Sequence, residues 1–139
     1  MKTFTYYRRV YFRDTDAGGV VYHANYLAFA EEARTQALLT LSPDYTNQAM
    51  MAKGEVFVVC RCEVDFVRPA KLDDELVIYS NVLKLGAASA LFGQEIKRGE
   101  ELLAKVKVQV AAVDVSSGRP LRFNPQLKEE LKEYLKTEE

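Results

Sequence analysis

The sequence has few of the residues that build metal sites and disulfide frameworks. Its 139 residues include one histidine, His23, and two cysteines, Cys60 and Cys62. A metal ion would lack a second imidazole ligand, so we expect no metal site. The cysteines are two positions apart on a predicted strand, where their side chains run parallel and do not readily reach disulfide geometry. We therefore expect reduced core thiols in a cytoplasmic protein.

An excess of charge of one sign and a long apolar run are also missing. With 19 basic and 20 acidic residues the net charge is -1, so nothing attracts nucleic acid or an anionic membrane to the protein as a whole. No run approaches the roughly 18 apolar residues that span a bilayer, and the first residues carry no apolar signal segment. We expect one domain over residues 1–139, with no membrane span and no nucleic-acid partner.

Hydrophobic periodicity predicts an α+β domain. Aromatic and β-branched residues are frequent over residues 3–13, as in a strand. A long helix is predicted over residues 25–41. A short C-terminal helix is predicted from Pro125 onwards, with Asn124 as its N-cap. Further strands are predicted over residues 55–68, 76–85, 90–96 and 104–112. The last two are joined at Arg98-Gly99-Glu100 and form a hairpin.

The long helix is expected to be central. Apolar and small residues recur along it as a stripe at helical spacing, namely Tyr26, Ala30, Ala33, Ala37 and Leu41, and three of the five are alanines. Small side chains let a helix lie close to a sheet. Ser42-Pro43 is expected to end the helix, because proline disfavours helical geometry in the residue before it.

The strand over residues 55–68 is expected to have one apolar and one polar face. Period two assigns to the apolar face Val56, Val58, Cys60, Cys62, Val64 and Phe66. Both cysteines are therefore expected to be buried.

Reactive groups concentrate between the first strand and the long helix. This segment reads Asp14-Thr15-Asp16-Ala17-Gly18-Gly19-Val20-Val21-Tyr22-His23-Ala24-Asn25-Tyr26. It combines two carboxylates, two glycines and the single histidine. Spacing alone also fits plain turn chemistry, because Asp and Gly favour turns for backbone reasons.

The element order and this segment together resemble the hotdog-fold acyl-CoA thioesterases, in the Tol-Pal-associated branch of the 4-hydroxybenzoyl-CoA thioesterase-like family. Glu32-Ala33-Arg34-Thr35 in the helix and residues 67–74 before the next strand resemble the same branch. The resemblance implies an antiparallel five-stranded sheet wrapped around the long helix. It also implies hydrolysis of an acyl-CoA thioester to a carboxylic acid and coenzyme A.

The resemblance also assigns roles within the segment. Asp16 matches the family's catalytic carboxylate, which acts as nucleophile or as general base on water. The backbone N–H of His23 matches the group that polarises the thioester carbonyl, and its imidazole is a secondary catalytic candidate because it can exchange a proton near neutral pH. Candidate substrate contacts are Gly19, Val21, Tyr22, Asn25 and Tyr26.

The partners follow from the same resemblance. Acyl-CoA is the expected substrate and an acyl carrier protein is an alternative donor. No cofactor is expected, since coenzyme A enters as part of the substrate. Relatives form dimers, or dimers of dimers, with the site at the interface, so we expect a homodimer or a homotetramer.

Several alternatives stay open at this level. Asp14 is interpreted as a structural residue, Glu31 and Glu32 as a solvated helix face, and Asn25 and Tyr26 also fit a helix start and a core ring. One of the two glutamates could instead be a catalytic partner. A fold does not fix a function, so a non-catalytic module that binds acyl-CoA or an acyl carrier protein is the main competing hypothesis. A hydratase or dehydratase acting on acyl thioesters is a weaker one.

Overall fold

Residues 1–137, which the computed structural model describes, form a five-stranded antiparallel sheet with helices on it. The strands are β1 (Phe4–Arg9), β2 (Glu55–Phe66), β3 (Glu75–Leu85), β4 (Ser89–Arg98) and β5 (Glu101–Asp114). The helices are α1 (Asn25–Leu41), α2 (Asn47–Ala52) and α3 (Pro125–Lys132), with 3-10 turns at Phe12–Asp14 and Pro43–Tyr45. The sheet order is β1-β3-β4-β5-β2, so β1 and β2 are its edges.

Helix α1 packs on one face of the sheet, against β1, β3 and β5. Its bounds are those predicted, and Ser42 ends it in an extended conformation before Pro43. The buried residues of α1 are Tyr26, Phe29, Ala30, Ala33, Ala37 and Leu38. The small residues of the predicted stripe thus allow the helix to approach the sheet closely.

Strand β2 corrects the predicted alternation. Its register with β5 shifts between Val59 and Arg61, which makes Cys60 the extra residue of a β-bulge. Val59 lies opposite Val110, whereas Cys62 lies opposite Val108, and both of these valines are buried. Residues directly opposite share a face, so the helix-facing side of β2 changes from odd to even positions at the bulge.

The prediction of buried cysteines was also wrong. Cys60 and Cys62 are both exposed and both free thiols. Cys60 leaves the predicted face at the bulge, and β2 as a whole is an edge strand with solvent on its unpaired side. The six residues predicted to share one apolar face are therefore divided between the two faces. Cys62, Val64 and Phe66 lie on the helix-facing side, whereas Val56, Val58 and Cys60 do not.

The remaining elements follow local chemistry. The β4–β5 turn carries Gly99 with a φ of 60°, a conformation that glycine adopts without strain. In α3 the side chain of Asn124 accepts hydrogen bonds from the N–H groups of Gln126 and Leu127, as predicted for an N-cap. Helix α2 was not predicted, although Thr46 caps it in the same way. Within residues 1–137 no helix is long and apolar enough to cross a membrane.

Candidate active site

The segment that carries Asp16 folds back on itself as a narrow hairpin. Thr15 and Val21 form an antiparallel bridge, and the N–H of Asp16 donates to the carbonyl of Val20 at 2.9 Å. The N–H of Gly19 donates to the carbonyl of Asp16 at 3.1 Å. Gly19 has a φ of 79°, which a side chain would strain. Backbone geometry therefore accounts for the second glycine, and Asp16 lies at the tip.

The carboxylate of Asp16 is exposed and held at one oxygen. Its Oδ1 accepts a hydrogen bond from the N–H of Gly18 at 2.8 Å, as in an Asx turn. A Cβ at position 18 would lie 3.2 Å from that Oδ1, so the lack of a side chain at Gly18 leaves room for the carboxylate. Among residues 1–137, no donor binds Oδ2. One oxygen is thus positioned by the backbone, while the other is left without a hydrogen-bond donor among the described residues.

A second loop supports the hairpin. The N–H of Val21 donates to the carbonyl of Ala70 at 2.9 Å, and the N–H of Leu72 donates to the carbonyl of Gly19 at 3.4 Å. The N–H of Ala70 in turn donates to the phenol oxygen of Tyr26 on α1 at 3.0 Å. Ala70 is fully buried, so this bond satisfies a donor that water does not reach.

Asp14 anchors the base of the hairpin, as predicted for a structural residue. The guanidinium of Arg8 donates to its two carboxylate oxygens at 2.6 and 3.2 Å, and the N–H of Tyr11 donates at 2.8 Å. Burial works to raise the pKa of Asp14, but the hydrogen bonds from Arg8 and Tyr11 outweigh it and hold the pKa below its ordinary value. The backbone carbonyl of Asp14 accepts from the N–H of Tyr22 and from Nδ2 of Asn25, both at 2.9 Å.

Glu32 belongs to the same network, which corrects its assignment to a solvated helix face. Its Oε1 accepts from Nε of Arg8 at 3.0 Å and from the hydroxyl of Tyr6 at 2.9 Å. Burial and this hydrogen bond raise the pKa of Tyr6. Arg8 therefore joins β1, the 3-10 turn at Phe12–Asp14 and α1 through two carboxylates. The sequence analysis missed Arg8, although period two places it on the same face of β1 as Phe4 and Tyr6.

The remaining candidates cluster at the start of α1. His23 and Tyr22 are exposed, with ring centroids 4.5 Å apart, and the imidazole of His23 lies 6.4 Å from the ring of Phe66 on β2. Among the residues that the structure describes, no acceptor binds the backbone N–H of His23 or of Ala24. Such unpaired amides at a helix N-terminus carry the positive end of the helix dipole.

Asn25 and Tyr26 have structural partners. The side chain of Asn25 is hydrogen-bonded to the carbonyl of Asp14, and Tyr26 is 3% exposed with its hydroxyl on Ala70. The helix-start and core-ring interpretations account for these contacts. Val21 is buried as well, whereas Gly19 is exposed.

Comparison with known proteins places this geometry in a family. The family model described as the thioesterase superfamily matches residues 18–105, which is more than half of the chain. The chain belongs to the thioesterase superfamily. The resemblance seen in the loop motif is thereby confirmed.

Residues 1–137 contain no group of three or more His, Cys, Asp or Glu side chains that could hold a metal ion.

Two curated relatives from the thioesterase superfamily align with most of the chain. It is 42% identical over 126 residues to the acyl-CoA thioesterase YbgC of Haemophilus influenzae, covering 90% of this chain and 91% of that protein. It is 33% identical over 139 residues to the 1,4-dihydroxy-2-naphthoyl-CoA hydrolase of Nostoc punctiforme, covering 97% of this chain and 88% of that protein.

Solved structures of thioesterases share the fold. A probable thioesterase from Bartonella henselae superposes with a TM-score of 0.82 at 35% identity, covering 88% of this chain and all of that one. The dynemicin thioesterase superposes with a TM-score of 0.89 at 23% identity, covering 99% of this chain and 100% of that one. At this identity the superposition is evidence for the shared fold and not for a shared function. The predicted hotdog arrangement, a five-stranded antiparallel sheet with a long helix and a short C-terminal helix, is confirmed.

Proposed function

We propose that the protein hydrolyses acyl-CoA thioesters, releasing a carboxylic acid and coenzyme A. Relatives that align with about nine-tenths of the chain are named for this reaction. The observation that carries the proposal for this chain is that one segment holds both an exposed carboxylate, Asp16, with one oxygen free of donors, and unpaired amides at the start of α1. Thioester hydrolysis requires both a base or nucleophile and donors for the oxyanion.

Asp16 supplies the carboxylate. In one route it removes a proton from water, whose oxygen attacks the acyl carbon. In the other it attacks that carbon itself and displaces the coenzyme A thiolate, forming an anhydride that water then hydrolyses. In the first route the tetrahedral intermediate expels the same thiolate as its carbon–sulfur bond breaks. Its Oδ1 is occupied by the N–H of Gly18, so Oδ2 is the oxygen that acts. Aspartate is ordinarily ionised at neutral pH, as both routes require.

The backbone N–H of His23 stabilises the oxyanion. Amides at a helix N-terminus need no reorganisation as charge develops on the thioester oxygen, and one such donor contributes about 2.7–4 kcal/mol to lowering a barrier. The imidazole of His23 is a secondary candidate that donates a proton to the departing thiolate. Gly19, Val21, Tyr22, Asn25 and Tyr26 shape the substrate site around these groups, the last two by holding the hairpin.

Turnover of acyl-CoA by Asp16 variants tests the proposal. Asp16→Asn keeps an oxygen for the Gly18 N–H but removes the base, so thiol release is expected to fall about 10²–10⁴-fold with the fold retained. His23→Ala keeps the backbone donor, so its loss is expected to be far smaller. Asp44→Asn, at an exposed aspartate of the Pro43–Tyr45 turn, is the matched control. Full activity of Asp16→Asn would refute the role of Asp16, and saturable binding without turnover by the wild type would favour a non-catalytic binding module.

The edge strand β2 supports assembly into a homodimer or a homotetramer. Its outer side has no partner strand within residues 1–137, and it exposes Val59 at 54% and Phe66 at 55%. Such an edge pairs readily with a second copy. Because Phe66 lies beside His23, the interface would border the candidate site. Sedimentation of the wild type and of Val59→Lys measures the oligomeric state. We expect the wild type to be oligomeric and the variant, which carries a charge in the interface, to dissociate. A monomeric wild type would contradict assembly.

The proposal also includes a cytoplasmic location and an acyl carrier protein as an alternative donor of the acyl group. Two exposed free thiols fit a reducing compartment, which cell fractionation checks. Activity against acyl-carrier-protein thioesters of matched chain length decides whether the carrier replaces coenzyme A.

A further inference from the structure

Arg34 on α1 is a partly buried cation whose hydrogen-bond partner is a neutral amide. Its Nη1 donates to Oε1 of Gln94 at 2.9 Å, and among residues 1–137 no carboxylate lies within ion-pair distance of it. Burial lowers the pKa of Arg34 despite the nearby charge of Glu31, which acts to raise it. Burial acts on Arg8 in the same direction, but its hydrogen bonds to Asp14 and Glu32 outweigh burial and raise its pKa. Within one fold, one guanidinium is paired twice and the other is left with a neutral amide. A partly buried cation without an ion-pair partner gains stability when a ligand supplies the negative charge.

The amide of Gln94 is fixed so that it must present its oxygen to Arg34. Gln94 is 2% exposed, and its Nε2 donates to the carbonyl of Ala30 and to Oγ of Ser80, both at 2.9 Å. The Ala30 carbonyl can only accept, so the amide cannot be flipped. A fully satisfied buried amide therefore orients the guanidinium, which is the kind of support that binding residues require.

Arg34 lines a cavity of about 120 Å³ between α1, the sheet and α3. Its other walls are mainly apolar and include Leu38, Phe57, Val59, Phe92 and Phe123. A dry apolar cavity of about 150 Å³ binds benzene in another protein, so this one admits the end of an acyl group. A single oriented cation in an apolar wall specifies where a negative group would sit.

Strand β2 connects this cavity with the candidate active site. Its helix-facing side runs from Phe66, next to the ring of His23, through Val64 and Cys62 to Val59, which lines the cavity. Arg34 lies eleven residues after His23, roughly 16 Å along the helix axis, and its side chain leans back toward the helix N-terminus.

We infer that the acyl group of the substrate follows β2 into this cavity and ends in a carboxylate bound by Arg34. The preferred substrates are then ω-carboxyacyl thioesters, the monothioesters of dicarboxylic acids, over plain acyl thioesters of equal length. This inference rests on the proposed thioesterase function and names its substrate class. Glu31 also lines the cavity but is exposed, with its Oε1 near the hydroxyl of Thr35 at 3.3 Å. Its charge weakens the binding of an anion without replacing it.

The test compares kcat/KM for matched coenzyme A thioesters of about six to ten carbons that end in methyl, hydroxyl or carboxylate. The non-hydrolysable thioether analogues of the same set are measured by calorimetry. A charge-assisted pair in a buried site predicts a preference of about ten- to hundredfold for the carboxylate at the length that reaches Arg34. Arg34→Met is expected to abolish the preference and Arg34→Lys to retain part of it.

Two further variants separate recognition from folding. Glu31→Gln removes the exposed negative charge of the cavity and is expected to increase the carboxylate preference, which shows that the end of the acyl group lies in this cavity. Arg119→Met, in the exposed loop after β5, is the control and is expected to leave the preference unchanged. Thermal unfolding verifies that each variant is folded, and Arg34→Lys provides the test if Arg34→Met is not.

Each outcome decides one claim. Two results overturn the inference while the thioesterase function stands. One is a kcat/KM for the carboxylate-ended thioester that is equal to or lower than that of the methyl-ended one at every length. The other is an equal loss of kcat/KM for these two substrates in Arg34→Met and in Arg34→Lys. A hydroxyl preferred to the carboxylate also overturns it. Preferential binding of carboxylate thioethers without turnover of any thioester supports Arg34 as the anchor and refutes the proposed hydrolysis.

Discussion

Arg8 and Asp14 form a two-bond ion pair, at 2.6 and 3.2 Å, beneath the hairpin that carries Asp16. Their side chains are only 10% and 7% exposed. The backbone carbonyl of the same Asp14 holds Tyr22 and Asn25, so this pair connects the interior with both ends of the hairpin. The position of the candidate site therefore depends on a charge pair that takes no direct part in the chemistry.

Removing Arg8 is expected to destabilise the fold strongly. Arg8→Met leaves Asp14 charged and buried without its partner, which costs about 3–5 kcal/mol in free energy of unfolding. Urea denaturation measures the loss. The matched control is Arg61→Met, because Arg61 pairs with Glu63 on the surface and such pairs contribute about 0–1 kcal/mol. Equal losses in the two variants would show that the buried pair is not special.

Acid is expected to weaken the same anchor. The folded-state pKa of Asp14 lies below its ordinary value, so the ionised carboxylate stabilises the fold above roughly pH 4. This contribution is lost as the pH falls through that value toward the folded-state pKa. The difference in unfolding free energy between wild type and Asp14→Asn is therefore expected to narrow between neutral pH and roughly pH 3. A difference that stays constant or widens would contradict the lowered pKa.

The hydroxyl of Tyr26 is expected to stabilise the loop that supports the hairpin. Tyr26→Phe leaves the N–H of fully buried Ala70 without an acceptor, which costs about 1–3 kcal/mol. Tyr7→Phe, at a tyrosine that is 77% exposed, is expected to change little. Chemical denaturation of both variants checks the contrast, and faster hydrogen exchange at Ala70 and Val21 would locate the effect. Unchanged stability in Tyr26→Phe would mean that water replaces the phenol.

The two neighbouring glycines are expected to respond differently to alanine. At Gly18 the new Cβ lies 3.2 Å from Oδ1 of Asp16, so Gly18→Ala shifts the carboxylate and lowers kcat by about tenfold, with little effect on stability. At Gly19 a Cβ meets no atom within 4 Å, but the φ of 79° strains it by about 1–2 kcal/mol. Thiol-release kinetics and thermal unfolding separate the two effects. Identical profiles for the two variants would refute this assignment.

Local patterns predicted the long helix because its signals are short-range. Residues 25–41 combine small and apolar residues at helical spacing with a proline just past the end, and the helix occupies that range. The same holds for the β4–β5 hairpin, where Gly99 sets the turn, and for the Asn124 cap of α3. The family assignment succeeded for a related reason, since the motif from Asp14 to Tyr26 is contiguous in the chain.

Nonlocal partners explain the errors. The bulge at Cys60 is defined only by pairing with β5, and the exposure of both cysteines follows from the edge position of β2. Glu32 has the same appearance in the sequence as its neighbour Glu31, but only Glu32 lies above Arg8 and Tyr6. No periodicity within one segment reports which residue of another segment will face it.

The sequence by itself determined the five strands, the helices α1 and α3, the family and the loop that contains Asp16, because turn, cap and periodicity signals act over a few residues. Only the tertiary structure decided which groups are held and which are left without partners. It binds Asp14 to Arg8, joins the hydroxyl of Tyr26 to the N–H of Ala70 and gives Arg34 a neutral hydrogen-bond partner in Gln94. These relationships join residues from 6 to 60 positions apart. Packing of α1 on the sheet creates those of Tyr26 and Arg34, and the turn after β1 creates that of Asp14.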